Sequence, residues 1–347
     1  MRKILILLSL TILLAVPVHA MDFTAPTVPE VGEELMPAEP ESFGKDLVKI
    51  IKDAVSYIAP KLAENAAVCT GLICAVLLVS VLKQIPGASD RIVMPVGVLV
   101  ISILMLRRTG SCILTAVETI SQMSEYGKLL IPVMAASMAA QGGVTASGSL
   151  YAATAIFDTV LTTGISKLLI PLVYLYLALC VANSALGETV LKSIRDLIKW
   201  LMTWGLKIAL YLFTGYIGLT GVISGSTDAA ALKATKITIS SMVPVVGGIL
   251  ADASEAVLVG AEVMKNAAGI YGILAIIAIF IVPFLEIGMQ YLTLKATAAV
   301  TRVFGVKYLS DLIGDFSGTM GLLLGMTGAV CLMLLISTIC FMKGVGI

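Results

Sequence analysis

Histidine is nearly missing from this 347-residue sequence: the one residue, His19, lies at the end of an N-terminal apolar run. Beyond that run there is no imidazole for a Ser-His-Asp or Cys-His nucleophile, for general acid/base work, or for a His-ligated metal. Charge is scarce as well. Asp, Glu, Lys and Arg make up 13% of the chain, against about a quarter in soluble globular proteins. With 59% hydrophobic residues and a mean hydropathy of +1.03, the chain lacks the polar surface to face water and reads as a membrane protein. Its net charge of +1 gives no global field for an anionic partner. Aromatics, at 6%, are too scattered to stack bases, so no nucleic acid is expected. The six cysteines form no Cys-x-x-Cys pair and read as small buried hydrophobes, without disulfides or a metal centre. No Gly-x-x-x-x-Gly-Lys-Ser/Thr loop is present, so the chain is not expected to hydrolyse nucleotide. No cofactor is implied, and the chain is not expected to be an enzyme.

What is present divides the chain. Arg2 and Lys3 precede the apolar run Ile4 to Val16, and Val18-His19-Ala20 offers small residues for cleavage. Residues 1–20 read as a secretory signal peptide, with an uncleaved anchor as the competing reading. Residues 21–44 alternate proline with Asp and Glu and read as an exported flexible linker. Residues 45–65 regain a helical period, with Leu47, Ile50, Ile51, Val55 and Ile58 on one face, as in an amphipathic helix at the membrane interface or docked on a neighbour. A first membrane helix pair follows at 66–111. The expected fold is all-α and polytopic, with about seven transmembrane helices, some proline-broken. The spans are placed at Ala66–Leu82, Ile92–Leu106, Leu129–Leu150, Leu168–Ser184, Trp200–Ser224, Gly269–Met289 and Thr319–Met342. With an exported N-terminus this arrangement puts Arg107, Arg108, Lys128, Lys192, Arg195 and Lys199 among the exported loops. That is the opposite of the positive-inside bias, so one span is expected to be misplaced or a short pair to be re-entrant.

Proline spacing suggests a duplication. Pro132 and Pro244 are 112 residues apart, and so are Pro171 and Pro283. Asp196-Leu197-Ile198 recurs as Asp311-Leu312-Ile313 at an offset of 115. Units of 112–224 and 225–347 follow from this, the second carrying charges that the first lacks. Proline inside a membrane helix frees a carbonyl that something else must satisfy. Paired broken helices suit a transporter's central site, or a subunit packing irregular helices on partners.

The second unit holds the candidate functional residues. Glu286 lies mid-span, three residues after Pro283, where a carboxylate is costly and should face protein, water or a cation. Lys295 is too far along the helix to pair with it. The first-unit equivalent of Glu286 is Tyr174, which argues against a symmetric two-carboxylate carrier site. Asp252, Glu255, Glu262 and Lys265 share one side of a helix, as a solvated face or the lining of an aqueous path. Asp158 has no carboxylate partner in reach for an intramembrane acid pair.

At the head of this unit stands Thr227-Asp228-Ala229-Ala230-Ala231-Leu232-Lys233-Ala234-Thr235-Lys236, followed by Met242-Val243-Pro244-Val245-Val246-Gly247-Gly248 and Asp252. This stretch resembles the stage III sporulation protein AE family of endospore-forming bacteria, which tends to carry Gly where this chain has Ala229. The similarity extends over most of the chain, from signal peptide to multi-span body. It marks Asp228, Lys233, Lys236 and Pro244, with Asp252, Glu255, Glu262, Pro283 and Glu286, as candidate functional or partner-contact positions. The resemblance implies a non-enzymatic subunit of a channel complex between mother cell and forespore, in the mother-cell membrane around the forespore. The implied partners are the lipid bilayer, a secretion-type ATPase and ring-forming membrane proteins. A stand-alone secondary transporter is the alternative that the repeat and Glu286 support.

Overall fold

The structure, a computed structural model, describes residues 28–36, 43–86, 89–141, 143–242 and 247–343; the side chains of 30, 31, 90, 217–242, 247–267 and 343 are not described. The signal peptide expected at 1–20 and Pro244 lie outside the described residues. A short helix α1 (Glu30–Glu33) precedes α2 (Phe43–Leu82), α3 (Asp90–Ala140) and α4 (Val144–Gly164). A π-helical segment, Ile165–Leu169, leads into α5 (Ile170–Leu186), followed by α6 (Thr189–Met242) and α7 (Gly247–Thr301). A 3-10 turn, Arg302–Phe304, then leads to α8 (Lys307–Lys343).

Six helical stretches among the described residues are long and apolar enough to cross a membrane: Phe43–Leu82, Arg91–Ala140, Val144–Leu186, Thr189–Tyr216, Ala268–Phe304 and Lys307–Met342. The count of seven is corrected by continuity. Ile92–Leu106 and the start of Leu129–Leu150 belong to one 51-residue helix. The polar stretch between them keeps its helical period: Cys112, Ile113, Ala116, Ile120 and Met123 are buried, while Arg107, Ser111, Glu118, Ser121 and Glu125 are exposed. Arg107, Arg108 and Lys128, assigned to exported loops from the sequence, are therefore inside α3. The expected span Leu129–Leu150 is instead interrupted at 141–143, where α3 gives way to α4.

The proline breaks are corrected too. Pro132 and Pro283 lie within continuous helices. In long helices gripped by neighbours, the loss of one backbone bond does not end the helix. Pro171 leaves a trace: the π segment directly before it widens the backbone where its ring would crowd the preceding turn.

Helix α8 is the hub, packing on α3, α4, α5, α6 and α7. Its buried residues Leu309, Leu312, Phe316, Met320, Leu323, Met326, Val330 and Leu334 recur every three or four positions, the period of a helix face. Hairpins α5–α6 and α7–α8 each turn on a left-handed glycine, Gly187 (φ 70°) and Gly305 (φ 75°), a conformation costly for any residue with a Cβ. Matching serine bonds close the α3–α4 and α7–α8 hairpins. Ser147 Oγ donates to the Ala135 carbonyl and Ser310 Oγ to the Ala298 carbonyl, both at 2.6 Å.

Part of the segment read as a linker is described. Val28 is buried and α1 packs on α7, with Gly32 against Ile279.

Candidate functional site

Helix α2 buries Asp46, Ile50, Ala54, Ile58, Asn65, Leu72, Val76 and Val79. This stripe is narrower than the face expected from the sequence: Ile51 and Val55 are 42% and 52% exposed. They flank the line along which α2 meets α7. The two helices run parallel and in step. Lys61 pairs with Glu286, Cys69 Sγ reaches the Thr293 carbonyl at 3.8 Å, and Ser80 Oγ donates to the Phe304 carbonyl at 2.9 Å, at sequence separations of 225, 224 and 224. At 1.5 Å per residue these contacts hold register over about 28 Å.

Glu286 therefore has its cation. Lys61 Nζ lies 3.2 Å from Glu286 Oε2, each side chain 31% exposed, and 5.0 Å from the Tyr57 ring centre. Pro283 is buried one turn before Glu286 on α7. One turn beyond Lys61 on α2, Glu64 and Asn65 meet the antiparallel α3. Arg108 donates from Nη1 to Glu64 Oε1 at 2.7 Å and from Nη2 to Asn65 Oδ1 at 2.8 Å. Residues Glu286, Lys61, Glu64 and Arg108 thus form a seam of alternating charge across α7, α2 and α3. A second ion cluster ties α6 to α8: Arg195 Nη1 lies 2.6 Å from Asp315 Oδ2, the side chains 12% and 16% exposed, and Tyr176 Oη donates to Asp315 Oδ1 at 3.4 Å. Asp158, 6% exposed, accepts a bond from Ser124 Oγ at 2.7 Å.

The seam marks a change in surface. Before it, α3 exposes Ile92, Val96, Leu99, Ile103 and Leu106. From Arg107 onward α3 exposes Arg107, Ser111, Glu118, Ser121, Glu125 and Lys128, with Leu114 and Leu129 among them. Helix α2 shares this only in part: it exposes Leu77, Leu78, Val81 and Leu82 at one end, and at its more polar end Lys49, Lys52, Asp53 and Glu64 stand among exposed Val48, Ile51, Val55, Tyr57 and Leu62. The polar end of α2 lies beside the most apolar part of α7, since Ile50 packs in one cluster with Leu274 and Ala278. A charged outer face thus accompanies helices of membrane-grade hydrophobicity.

The sequence model of the family described as stage III sporulation protein AE matches residues 33–346. The chain belongs to the stage III sporulation protein AE family. The matched region contains every residue of the seam and of the Arg195–Asp315 cluster. The chain is 23% identical over 262 residues to "Stage III sporulation protein AE" of Bacillus subtilis (strain 168), an alignment covering 74% of this chain and 65% of the relative. The matched stretch is thus just under two thirds of the relative's length. No solved structure matches the chain.

Of the positions marked from the sequence, the structure places Glu286 and Pro283 at the seam. Asp228, Lys233 and Lys236 lie in helix α6, and Asp252, Glu255 and Glu262 in helix α7, with side chains outside what is described. Lys61, Glu64 and Arg108 were missed. Lys61 has its partner 225 residues away, and Arg108 has its partners 44 and 43 residues away; such pairings leave no mark in local periodicity.

Proposed function

We propose that the chain is a non-enzymatic integral membrane subunit of a sporulation channel, a secretion-like assembly between mother cell and forespore. In this reading it sits in the mother-cell membrane around the forespore, with a secretion-type ATPase and ring-forming membrane proteins as partners. Family membership supports the role in sporulation. The observation that carries the assembly is the polar outer face of α3 from Arg107 to Lys128. A charged side chain facing hydrocarbon costs about 2.5–3.5 kcal/mol even on the mildest scale. A helix face bearing Arg107, Glu118, Glu125 and Lys128 is therefore suited to water or to another protein. A lone carrier would have little use for it. Deleting the gene in its sporulating host should sharply reduce the yield of heat-resistant spores, with complementation by the intact chain; normal spore yield would refute the reading. Purification from sporulating cells should bring down other membrane proteins of the same stage.

The second reading, a self-sufficient secondary transporter, draws on the Lys61–Glu286 pair between long apolar helices. Substrate exchange by the purified chain in liposomes, without partners, would favour it.

A further inference from the structure

Helix α8 serves as a ruler for the bundle's two flanks, because α3 and α6 both run parallel to it. Gly127 of α3 packs on Leu334 of α8. On the other side Arg195 meets Asp315, Gly318 lies against Lys199, and Gly325 against Leu206. Residue n of α6 is thus level with residue n + 119 or n + 120 of α8. Residue n of α3 is level with n + 212 at Gly97, which lies against Leu309, and with n + 207 at Gly127, so that positions 107 to 118 fall at about n + 209. Asp196 of α6 then stands within two residues of the level of Arg107 on α3. Lys207 stands within two residues of Glu118, an axial mismatch of about 3 Å.

All four side chains are exposed. Their spacing agrees as well as their level: positions 107, 111, 114 and 118 of α3 and 196, 200, 203 and 207 of α6 follow the same four-three-four pattern. Arg107 faces an acid at one end, and Glu118 faces a base at the other. Between them Ser111, small and exposed, stands opposite Trp200, which is 55% exposed. Small residues opposite large ones let membrane helices close on each other. Within one chain the two stripes flank the bundle, since α4 and α8 each pack on both α3 and α6.

We propose that the occupant of the α3 stripe is the α6 stripe of a second copy of this chain, with Arg107 on Asp196 and Glu118 on Lys207 across the interface. Copies inserted with the same orientation are related by rotation about the membrane normal, which keeps residues at one level. Two different stripes meeting in this way make a head-to-tail contact, which closes into a ring or continues as an open helical array. Asp196 keeps its bond to Arg195 at 2.8 Å, and Lys207 its position 6.0 Å from the Trp204 ring. Both charges are therefore held on the face where the neighbour arrives. The inference rests on the channel-subunit reading and supplies a partner for the polar face of α3.

The test is disulfide trapping of the full chain in native membranes, with Ser111→Cys and Trp200→Cys combined. Oxidation should give a ladder of dimers and higher species, absent from either single variant and from a control pair of Ser111→Cys with Leu197→Cys. Glu118→Lys alone and Lys207→Glu alone should each reduce the ladder by about tenfold or more, because like charges then meet. The two reversals together should restore it. A chain that stays monomeric overturns the proposal, as do a ladder equal in the control pair and a ladder indifferent to the single reversals. A deletion strain that still loses its spores while no ladder forms leaves the channel-subunit reading standing and removes only this interface.

Discussion

Replacing Lys61 by methionine leaves Glu286 in α7 without its cation. The pair is separated by 3.2 Å, with 31% of each side chain exposed. At an effective dielectric of about 20 the attraction is roughly 5 kcal/mol. Desolvation offsets much of that, and solvent reaching a third of each group screens it further. A net coupling of about 1–2 kcal/mol is left. The single variants should not be equal. Lys61→Met strands a short carboxylate among apolar neighbours, at a cost of about 2–3 kcal/mol. Glu286→Gln leaves a lysine whose four-carbon stem can carry its ammonium towards water, at a cost of about 1 kcal/mol. The assay is reversible unfolding of the full chain in mixed micelles for both single variants and the double variant. The double variant should be more stable than the sum of the two losses predicts, by about 1–2 kcal/mol. Additivity to within about 0.3 kcal/mol would mean that the two groups do not interact, and the seam would lose its central member. Exchanging the residues, Lys61→Glu with Glu286→Lys, should recover most of the stability.

Other expectations follow from contrasts within the bundle. Arg195→Met should cost about 3 kcal/mol in the same unfolding assay, because its partner Asp315 is only 16% exposed. Arg302→Met, from a pair 67% and 39% exposed, should change stability by less than about 1 kcal/mol. A Cβ at Gly272 would lie 2.7 Å from Leu130 Cδ2, so Gly272→Leu should separate α7 from α3 and cost about 1–3 kcal/mol, with Gly272→Ala milder because Leu130 can turn aside. In micelles holding single copies of the chain, Ser121→Cys should react readily with a charged maleimide and Ile103→Cys, covered by detergent, should not; equal labelling would remove the change of surface at Arg108.

The class of fold was legible because composition alone decides it: too little charge for a soluble surface and too many long apolar runs for anything but helices in a membrane. The number of spans was not. Hydropathy averages over a window, and residues 107–128 average out as a loop. Their alternation of buried Cys112, Ala116, Ile120 and Met123 with exposed Ser111, Glu118 and Glu125 is that of a helix packed on one side. The prolines misled for a related reason. Their local effect was weighed without the neighbours that hold α3 and α7 together. Glu286 was singled out from the sequence as a group needing a partner; the cation beside it, Lys61, lies on a helix that reads as a separate amphipathic segment. The Arg195–Asp315 cluster was invisible in the same way, since each residue taken alone looks like a loop charge near a span.

The register of the helices also changes what the hydropathy of α7 and α8 means. These two carry the most buried faces of the bundle, and their apolar character is largely met by protein. The bilayer must instead be located from exposed side chains, and these form two belts at different heights. On α3 the exposed apolar positions before Arg107 centre near Leu99, and Gly97 lies against Leu309, so this belt is level with about residue 311 of α8. On α6 the exposed apolar side chains run from Val190 to Tyr216 and centre near residue 203, level with 322. The separation is about 16 Å, roughly half a hydrocarbon thickness. A flat bilayer centred on the α3 belt leaves the far end of the α6 belt, around Tyr211 and Leu212, for protein to cover. The α6 belt stands level with the polar stripe of α3. Packing those two surfaces on each other removes the aromatic belt from water and the charges from lipid in one step, and leaves the apolar end of the α2–α3 hairpin as the part that meets the bilayer.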